Sequence, residues 1–192
     1  MGRGARSEAD RMWHPYKVAQ GPTGDVIALE DVKRHLNVMH DDDDVYIRSL
    51  ITAASDFVEK YCGIVVAGQK IEASCDAFSD MSRLSVGPVT EVDKIEYIAP
   101  DGSKNSVSVD AYVLNSDGVE PSIVPVYGSH WPIVRPGSRV SATLNAGFNP
   151  LPASIRHAML LWIADAYLVR ANSATVEWSA FDSLLCNYRR GR

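Results

Sequence analysis

The hydrophobic residues of this chain change their spacing twice along the sequence. Between residues 29 and 61 apolar side chains recur every three or four positions, between 64 and 146 they fall in short runs separated by turn residues, and from 155 to 169 the helical spacing returns. For the two helical ends to share one core, the β-rich stretch must be an insertion. The pattern predicts an α+β fold and disfavours a parallel α/β fold, in which strands and helices alternate.

The two helical stretches, together with a final amphipathic segment near the C-terminus, predict a helical body of about four helices. Glu30 and Asp31 stand in the first turn of a short helix, where the helix dipole favours anions. Gly63 ends a longer second helix, and Pro152 precedes the most apolar one at a favoured first-turn position. The apolar faces consist of Leu29, Val32, Leu36, Ile47, Ile51, Ala54, Val58, Tyr61, Ile155, Met159, Trp162, Ile163, Ala166 and Val169.

The middle of the chain predicts a small antiparallel sheet or sandwich. Residues 99–102 form a strong turn signal between two of the runs, and Pro125, Pro132 and Pro136 are too closely spaced to lie within central strands. This part should therefore form edges and loops. The predicted strands are 64–66, 92–98, 107–114, 123–127 and 139–144.

These patterns divide the chain into three parts. Residues 1–24 are rich in glycine and lack a sustained apolar period, which predicts an extended N-terminal arm. Residues 25–63 and 150–192 form the helical body with a C-terminal tail, and 64–149 form the inserted β-rich domain. Within the arm, Trp13 and Tyr16 are candidate contact residues that either cap their own subunit or dock on a neighbour.

Composition disfavours several classes of protein. A formal net charge of -5 argues against a broad phosphate-binding surface, because such a surface needs an excess of lysine and arginine. The three cysteines, Cys62, Cys75 and Cys186, are widely spaced without a CxxC pair, which favours free thiols in a reducing compartment. We expect no membrane span and no secretory signal, and therefore a protein that stays in the cytoplasm where it is made.

The sequence offers little support for catalysis or metal binding. Residues 41–44 are four consecutive aspartates, but the chain enters a helix directly after them, so a helix cap is favoured over a calcium loop. The five histidines lack zinc-ligand spacing, and the motifs of nucleophile elbows, phosphate loops and dinucleotide-binding turns are missing. We expect no enzyme activity, no catalytic or metal-binding residues and no cofactor.

The surface of the long helix suggests assembly instead. A second apolar stripe, Tyr46, Leu50, Ala53 and Phe57, widens the helical face beyond what one packing partner requires. This excess predicts burial on two sides, either inside the domain or between subunits. At the other end of the chain, Arg189, Arg190 and Arg192 either complement a helix dipole or dock on an acidic partner surface.

Three phrases, in this order, resemble the head-to-tail connector (adaptor) family of tailed phages and gene transfer agents. Residues 27–63 read IALEDVKRHLNVMHDDDDVYIRSLITAASDFVEKYCG, residues 127–148 read YGSHWPIVRPGSRVSATLNAGF, and residues 152–167 read PASIRHAMLLWIADAY. The closing LLCNYR is similar to the family's "LL.PYR", with Asn187 in place of the proline. The resemblance covers about four-fifths of the chain and departs from the family in its longer arm.

The resemblance implies a structural protein of the virion neck, made and assembled in the cytoplasm of a bacterial host. The expected assembly is a homo-oligomeric ring of about twelve copies beneath the portal protein, which extends the DNA channel and docks the tail or the next (stopper) neck protein. DNA would pass without specific binding. Two alternatives stay open: a tail-completion or minor capsid protein of the same module, and a small metal-dependent hydrolase.

The resemblance also suggests roles for individual residues. The C-terminal segment is expected to dock on the portal, and the exposed aromatic faces of the helices are expected to form the ring interface. The portal-docking candidates are Trp178, Phe181, Leu184, Leu185, Tyr188, Arg189 and Arg190. The ring-interface candidates are Tyr46, Leu50, Phe57, Trp162 and Tyr167.

Overall fold

A computed structural model describes residues 13–169 and 180–191. The helical part contains α1 (Leu29–Leu36), α2 (Asp44–Cys62), α3 (Ala153–Val169) and α4 (Ala180–Leu185). Both α1 and α2 end on a residue in the left-handed conformation, Asn37 at φ 56° and Gly63 at φ 68°. These left-handed caps stop each helix at the position that the sequence predicts.

The strands are β1 (Lys17–Gln20), β2 (Gln69–Cys75), β3 (Val89–Ile98), β4 (Lys104–Ser106), β5 (Tyr112–Asn115), β6 (Ser122–Pro125) and β7 (Val140–Ala146). They form a five-stranded antiparallel sheet in the order β1-β2-β7-β3-β4 and a separate two-stranded sheet, β5-β6. Strand β7 lies at the centre of the larger sheet and pairs with β2 on one side and β3 on the other.

Two hydrophobic clusters hold the fold together. One joins the helices and includes Ile47, Ile51, Met159 and Ile163, all almost fully buried. The other lies in the β part, where β7 contributes every second side chain from Val140 to Ala146. The α+β class, with a helical body drawn from both ends of the chain and an inserted antiparallel sheet, is thus confirmed.

Individual strands differ from the prediction. Residues 64–66 are buried but irregular, so the strand predicted there is wrong; the chain enters β2 only at Gln69. The alternation of buried Ile71, Ala73 and Cys75 with more exposed neighbours was the missed signal for β2. The run predicted at 107–114 is a short 3₁₀ turn followed by β5. The turn at 99–102 is confirmed by the hydrogen bond from the Gly102 amide to the Ala99 carbonyl, at 2.9 Å.

Residues 17–20 of the N-terminal arm pair with the sheet of their own chain. Strand β1 pairs antiparallel with β2, with Val18 opposite Ile71 and a register shift before Gln20. All four side chains of β1 are exposed. The arm therefore adds an outer strand to the sheet through backbone hydrogen bonds, because its side chains contribute little to the core.

Candidate assembly surfaces

The C-terminal segment, residues 180–191, packs along the end of α2. The Phe181 ring lies 5.5 Å from Phe57 and 5.6 Å from Tyr61, measured between ring centroids. The Tyr61 hydroxyl bonds to the Asp182 carboxylate, and this bond raises the pKa of Tyr61. The Arg189 guanidinium stands 4.5 Å from the Tyr61 ring centroid, a cation–π contact. The segment is thus attached to α2 through aromatic and charged contacts together.

Arg190 ties the same segment to the β part. Its Nη2 donates to the Leu84 carbonyl at 2.6 Å, and its Nη1 donates to the Ser85 carbonyl at 2.8 Å. The Arg190 amide donates to the Cys62 carbonyl at 2.8 Å, where α2 ends. Burial lowers the pKa of the Arg190 guanidinium. One residue therefore bridges the helical body and the inserted sheet.

The predicted portal-docking residues lie together, but they face their own chain to different degrees. Leu185 is fully buried in the helical cluster, and Phe181, Leu184 and Tyr188 pack partly against it. Tyr188 meets Phe148 edge to face at 5.9 Å. Trp178 lies outside the described residues. The described members of this set thus lie in one segment that packs on its own body, a contact that the sequence did not show.

The predicted ring-interface residues form an aromatic row along the contact between α2 and α3. Phe57 stacks on Trp162 at 5.7 Å, and Tyr46 lies 6.0 Å from Tyr167. The Tyr167 hydroxyl donates to the Asp43 carboxylate at 2.5 Å. Leu50 is buried inside the chain, whereas Phe57 keeps 41% of its surface exposed. Much of the excess apolar surface therefore serves the packing of α2 on α3, and Phe57 offers the most exposed part.

The arm residues also contact their own subunit. The Trp13 indole Nε1 donates to the carbonyls of Asp80 and Arg83, at 3.2 and 2.9 Å. Trp13 packs against the β cluster, whereas Tyr16 keeps 40% of its surface exposed. Trp13 therefore caps its own subunit, which is one of the two roles considered for the arm. Tyr16 stays accessible for the other role, docking on a neighbour.

Two of the four consecutive aspartates, Asp41 and Asp44, form ion pairs with a lysine of their own chain. Lys33 on α1 is only 5% exposed, and its Nζ lies 2.6 Å from Asp41 Oδ1 and 2.8 Å from Asp44 Oδ1. The hydrogen bonds to Asp41 and Asp44 raise the pKa of Lys33, and Lys33 lowers the pKa of Asp41. Residues 41–44 thus close the turn between α1 and α2 with an ion pair. Among the described residues, no group of three or more His, Cys, Asp or Glu could hold a metal ion.

The fourteen residues between β6 and β7 form the 126–139 loop, for which the sequence analysis predicted irregular structure but no contact surface. Tyr127 at its start is fully exposed and Ile133 near its middle is 77% exposed. The loop is nevertheless anchored, because Trp131 stacks on Phe78 at 4.7 Å and the Arg135 amide donates to the Ile98 carbonyl at 2.9 Å. Its clustered prolines and missing carboxylates were the available sequence signal.

The described residues thus combine a helical body, an inserted antiparallel sheet and a loop with exposed apolar side chains, an arrangement without a metal cluster among them. Residues 26–117 match the family model described as "Phage gp6-like head-tail connector protein". The resemblance to the head-to-tail connector family is therefore confirmed. No match was found among the curated proteins.

Solved structures of similar fold come from gene transfer agent (GTA) particles. A chain in the neck of the empty GTA particle, computed with C6 symmetry, has a TM-score of 0.77 at 19% identity, over 93% of this chain and 97% of that chain. A chain in the virion of the native particle has a TM-score of 0.78 at 20% identity, over 92% of this chain and 96% of that chain. A chain in the neck of the native particle, computed with C12 symmetry, has a TM-score of 0.75 at 19% identity, over 93% of this chain and 97% of that chain.

The matching family and the similar structures are structural parts of particles and not enzymes. This agrees with the sequence-based expectation that the chain is not an enzyme. Among the residues that the structure describes, none of the helices combines the length and the apolar composition that crossing a membrane requires.

Proposed function

We propose that this chain is the head-to-tail connector of a tailed phage or phage-like particle, located in the virion neck. In this role about twelve copies form a ring beneath the portal, extend the DNA channel and dock the tail or the next neck protein. The observation that carries the proposal is the family match over residues 26–117, supported by a fold shared with GTA particle chains over more than nine-tenths of both chains.

The charge of the chain fits a channel wall. With a net charge of -5, a ring of such subunits repels the phosphate backbone, so that DNA slides past without binding. The exposed part of the α2–α3 aromatic row, above all Phe57, is the ring contact that follows from the predicted interface set. Tyr16 in the arm is a second candidate contact to a neighbouring copy.

The C-terminal segment is the proposed portal-docking element. Leu185 and Arg190 contact the body of their own chain, so these side chains meet a portal only after the segment detaches from that body. The segment holds several partly exposed contact residues, among them Leu184 and Tyr188. Docking of this segment would exchange contacts with the own body for contacts with the portal.

A reversible crosslink tests this docking model. A Cβ placed on Gly63 would lie 3.7 Å from the Cβ of Arg190, within the range of a disulfide. The positive φ of Gly63 costs the introduced cysteine about 1 to 2 kcal/mol. The variant Gly63→Cys/Arg190→Cys, made with Cys186→Ser, should bind purified portal rings much more weakly when oxidised than after reduction, and both forms lack Arg190 equally.

The reduced double variant is the matched control, because it differs from the oxidised form only in the crosslink. Equal portal binding before and after reduction would contradict docking by a detached segment. The connector role itself is tested by electron microscopy of particle necks. A ring of this chain between portal and tail is expected, and a neck without it would overturn the proposal.

A further inference from the structure

The 126–139 loop carries positive charge and exposed apolar side chains on a fixed backbone. It contains Arg135, Arg139 and His130 and no aspartate or glutamate. Two internal turns hold it, with the Ser129 amide bonded to the Val126 carbonyl and the Ser138 amide to the Arg135 carbonyl, at 2.9 and 3.0 Å. A long loop that is anchored to the fold while some of its apolar side chains, here Tyr127 and Ile133, point to solvent is a typical binding element.

A groove lined by acidic residues, opposite in charge to the loop, lies between residues 22–26 and α2. Its volume is about 220 Å³, which is small for a cofactor and suits one or two side chains. Three carboxylates, Asp25, Asp56 and Glu59, stand at its walls, and the partly buried Val26 supplies apolar surface. No lysine or arginine is among the described residues that line it.

The groove carboxylates retain capacity for a further cation. Asp25 pairs with Arg48 and Asp56 pairs with Lys60, but these pairs lie at the surface and are therefore weak. Glu59 accepts a bond from the Val66 amide at 2.8 Å, and burial raises the pKa of its carboxyl group. An arginine from outside would add a partner to carboxylates that are held in place.

We propose that the 126–139 loop of one copy of this chain inserts into the acidic groove between residues 22–26 and α2 of the next copy. Tyr127 or Ile133 would cover the apolar surface of the groove, and Arg135 would face Asp56 and Glu59. The loop and the groove are different surfaces of one chain, as a cyclic head-to-tail ring requires. The assignment rests on the proposed ring and specifies its interface.

Cysteine crosslinking tests the contact directly. The variant Ile133→Cys/Ser55→Cys, made with Cys186→Ser, places one thiol on the loop and one beside the groove. Because the two surfaces differ, oxidation of assembled particles should produce a ladder of dimers, trimers and larger multimers. Each single variant in the same background should produce no ladder. Dimers alone, or no product beyond the single variants, would overturn the assignment.

Charge exchange provides a second readout in the same crosslinking background. Arg135→Glu or Asp56→Lys alone should lower the yield of multimers about tenfold or more, because like charges then face each other across the contact. The two changes combined should restore most of the yield. Lys104→Glu, an exposed change of the same sign on β4, should leave it unchanged. Failure of the combined variant to recover would contradict the pairing.

Microscopy of the same particles separates the two proposals. If Arg135→Glu particles keep an intact neck ring of this chain, the loop-and-groove contact is wrong although the connector role stands. If wild-type particles contain no ring of this chain, the connector role fails and the contact fails with it.

Discussion

The guanidinium of Arg190 donates a 2.6 Å hydrogen bond to the carbonyl of Leu84, across a sequence separation of 106 residues. The bond joins the end of the chain to the segment that precedes β3. It places the C-terminal segment at the junction of the helical body and the inserted sheet. A partner that displaces this segment would therefore also break the hydrogen bonds that join the helical body to the β part.

Arg190→Gln should lower the free energy of unfolding by about 1.5 to 3 kcal/mol, because hydrogen bonds from a charged donor to the Leu84 and Ser85 carbonyls are lost. Urea denaturation measures this change. Arg189→Gln is the matched control and should cost about 0.5 to 1 kcal/mol, since Arg189 makes a cation–π contact with Tyr61. Equal losses in both variants would contradict the special role of Arg190.

Lys33→Met should destabilise the fold, because it leaves Asp41 and Asp44 without their cation. The folded-state pKa of Asp41 is lowered, so its contribution is present above the unfolded pKa near 4 and is lost as pH falls through the folded value. The raised pKa of Lys33 keeps its charge through neutral pH. Urea midpoints should differ by a constant amount between about pH 7 and 9, and the difference should start to shrink only below about pH 4, as pH falls toward the lowered folded value of Asp41. A difference that persists undiminished in acid would refute the ion pair.

Glu59→Gln should stabilise the chain at neutral pH. The glutamine oxygen still accepts the bond from the Val66 amide, while the buried charge is removed. Because burial raises the folded-state pKa of Glu59, its contribution is complete below the unfolded pKa and declines as pH rises through the folded value. Urea midpoints should therefore be higher in the variant at pH 7 and equal to wild type at pH 4. Asp56→Asn, one turn away at the surface, serves as the comparison.

A thiol reagent should modify one cysteine in the native chain at pH 8. Cys186 is exposed, whereas burial raises the pKa of Cys62 to about 11 and that of Cys75 to about 12. Since the thiolate is the reactive form, the two buried thiols should react only after unfolding in urea. Mass spectrometry of the labelled chain identifies the position. Rapid labelling of Cys62 would show that the C-terminal segment opens freely, because Arg190 bonds to the Cys62 carbonyl.

The recognisable elements were those with a local cause. Helices α1 and α2 were predicted from spacing and caps, because apolar periodicity and a left-handed residue at Asn37 or Gly63 act over a few positions. Strand β1 carries no comparable signal: all four of its side chains are exposed, and pairing with β2 alone makes it a strand.

For the candidate surfaces, too, the sequence predicted local patterns but not contacts between distant elements. The sequence grouped Phe181, Leu184 and Leu185 as one apolar stripe, since they share a helical face. It did not reveal that Leu185 is buried by the own body, nor that Lys33 occupies the aspartate run. Both contacts join residues from different elements. The sequence around one residue does not indicate which distant residue it will contact.

The sequence by itself determined the order of helices and strands, the fold class and the resemblance to a connector family, because periodicity, caps and ordered phrases are properties of neighbouring residues. The tertiary structure alone decided which apolar surface stays exposed. Burial depends on what a distant segment covers, as Phe57, partly covered by Trp162 and Phe181, and the uncovered Ile133 show.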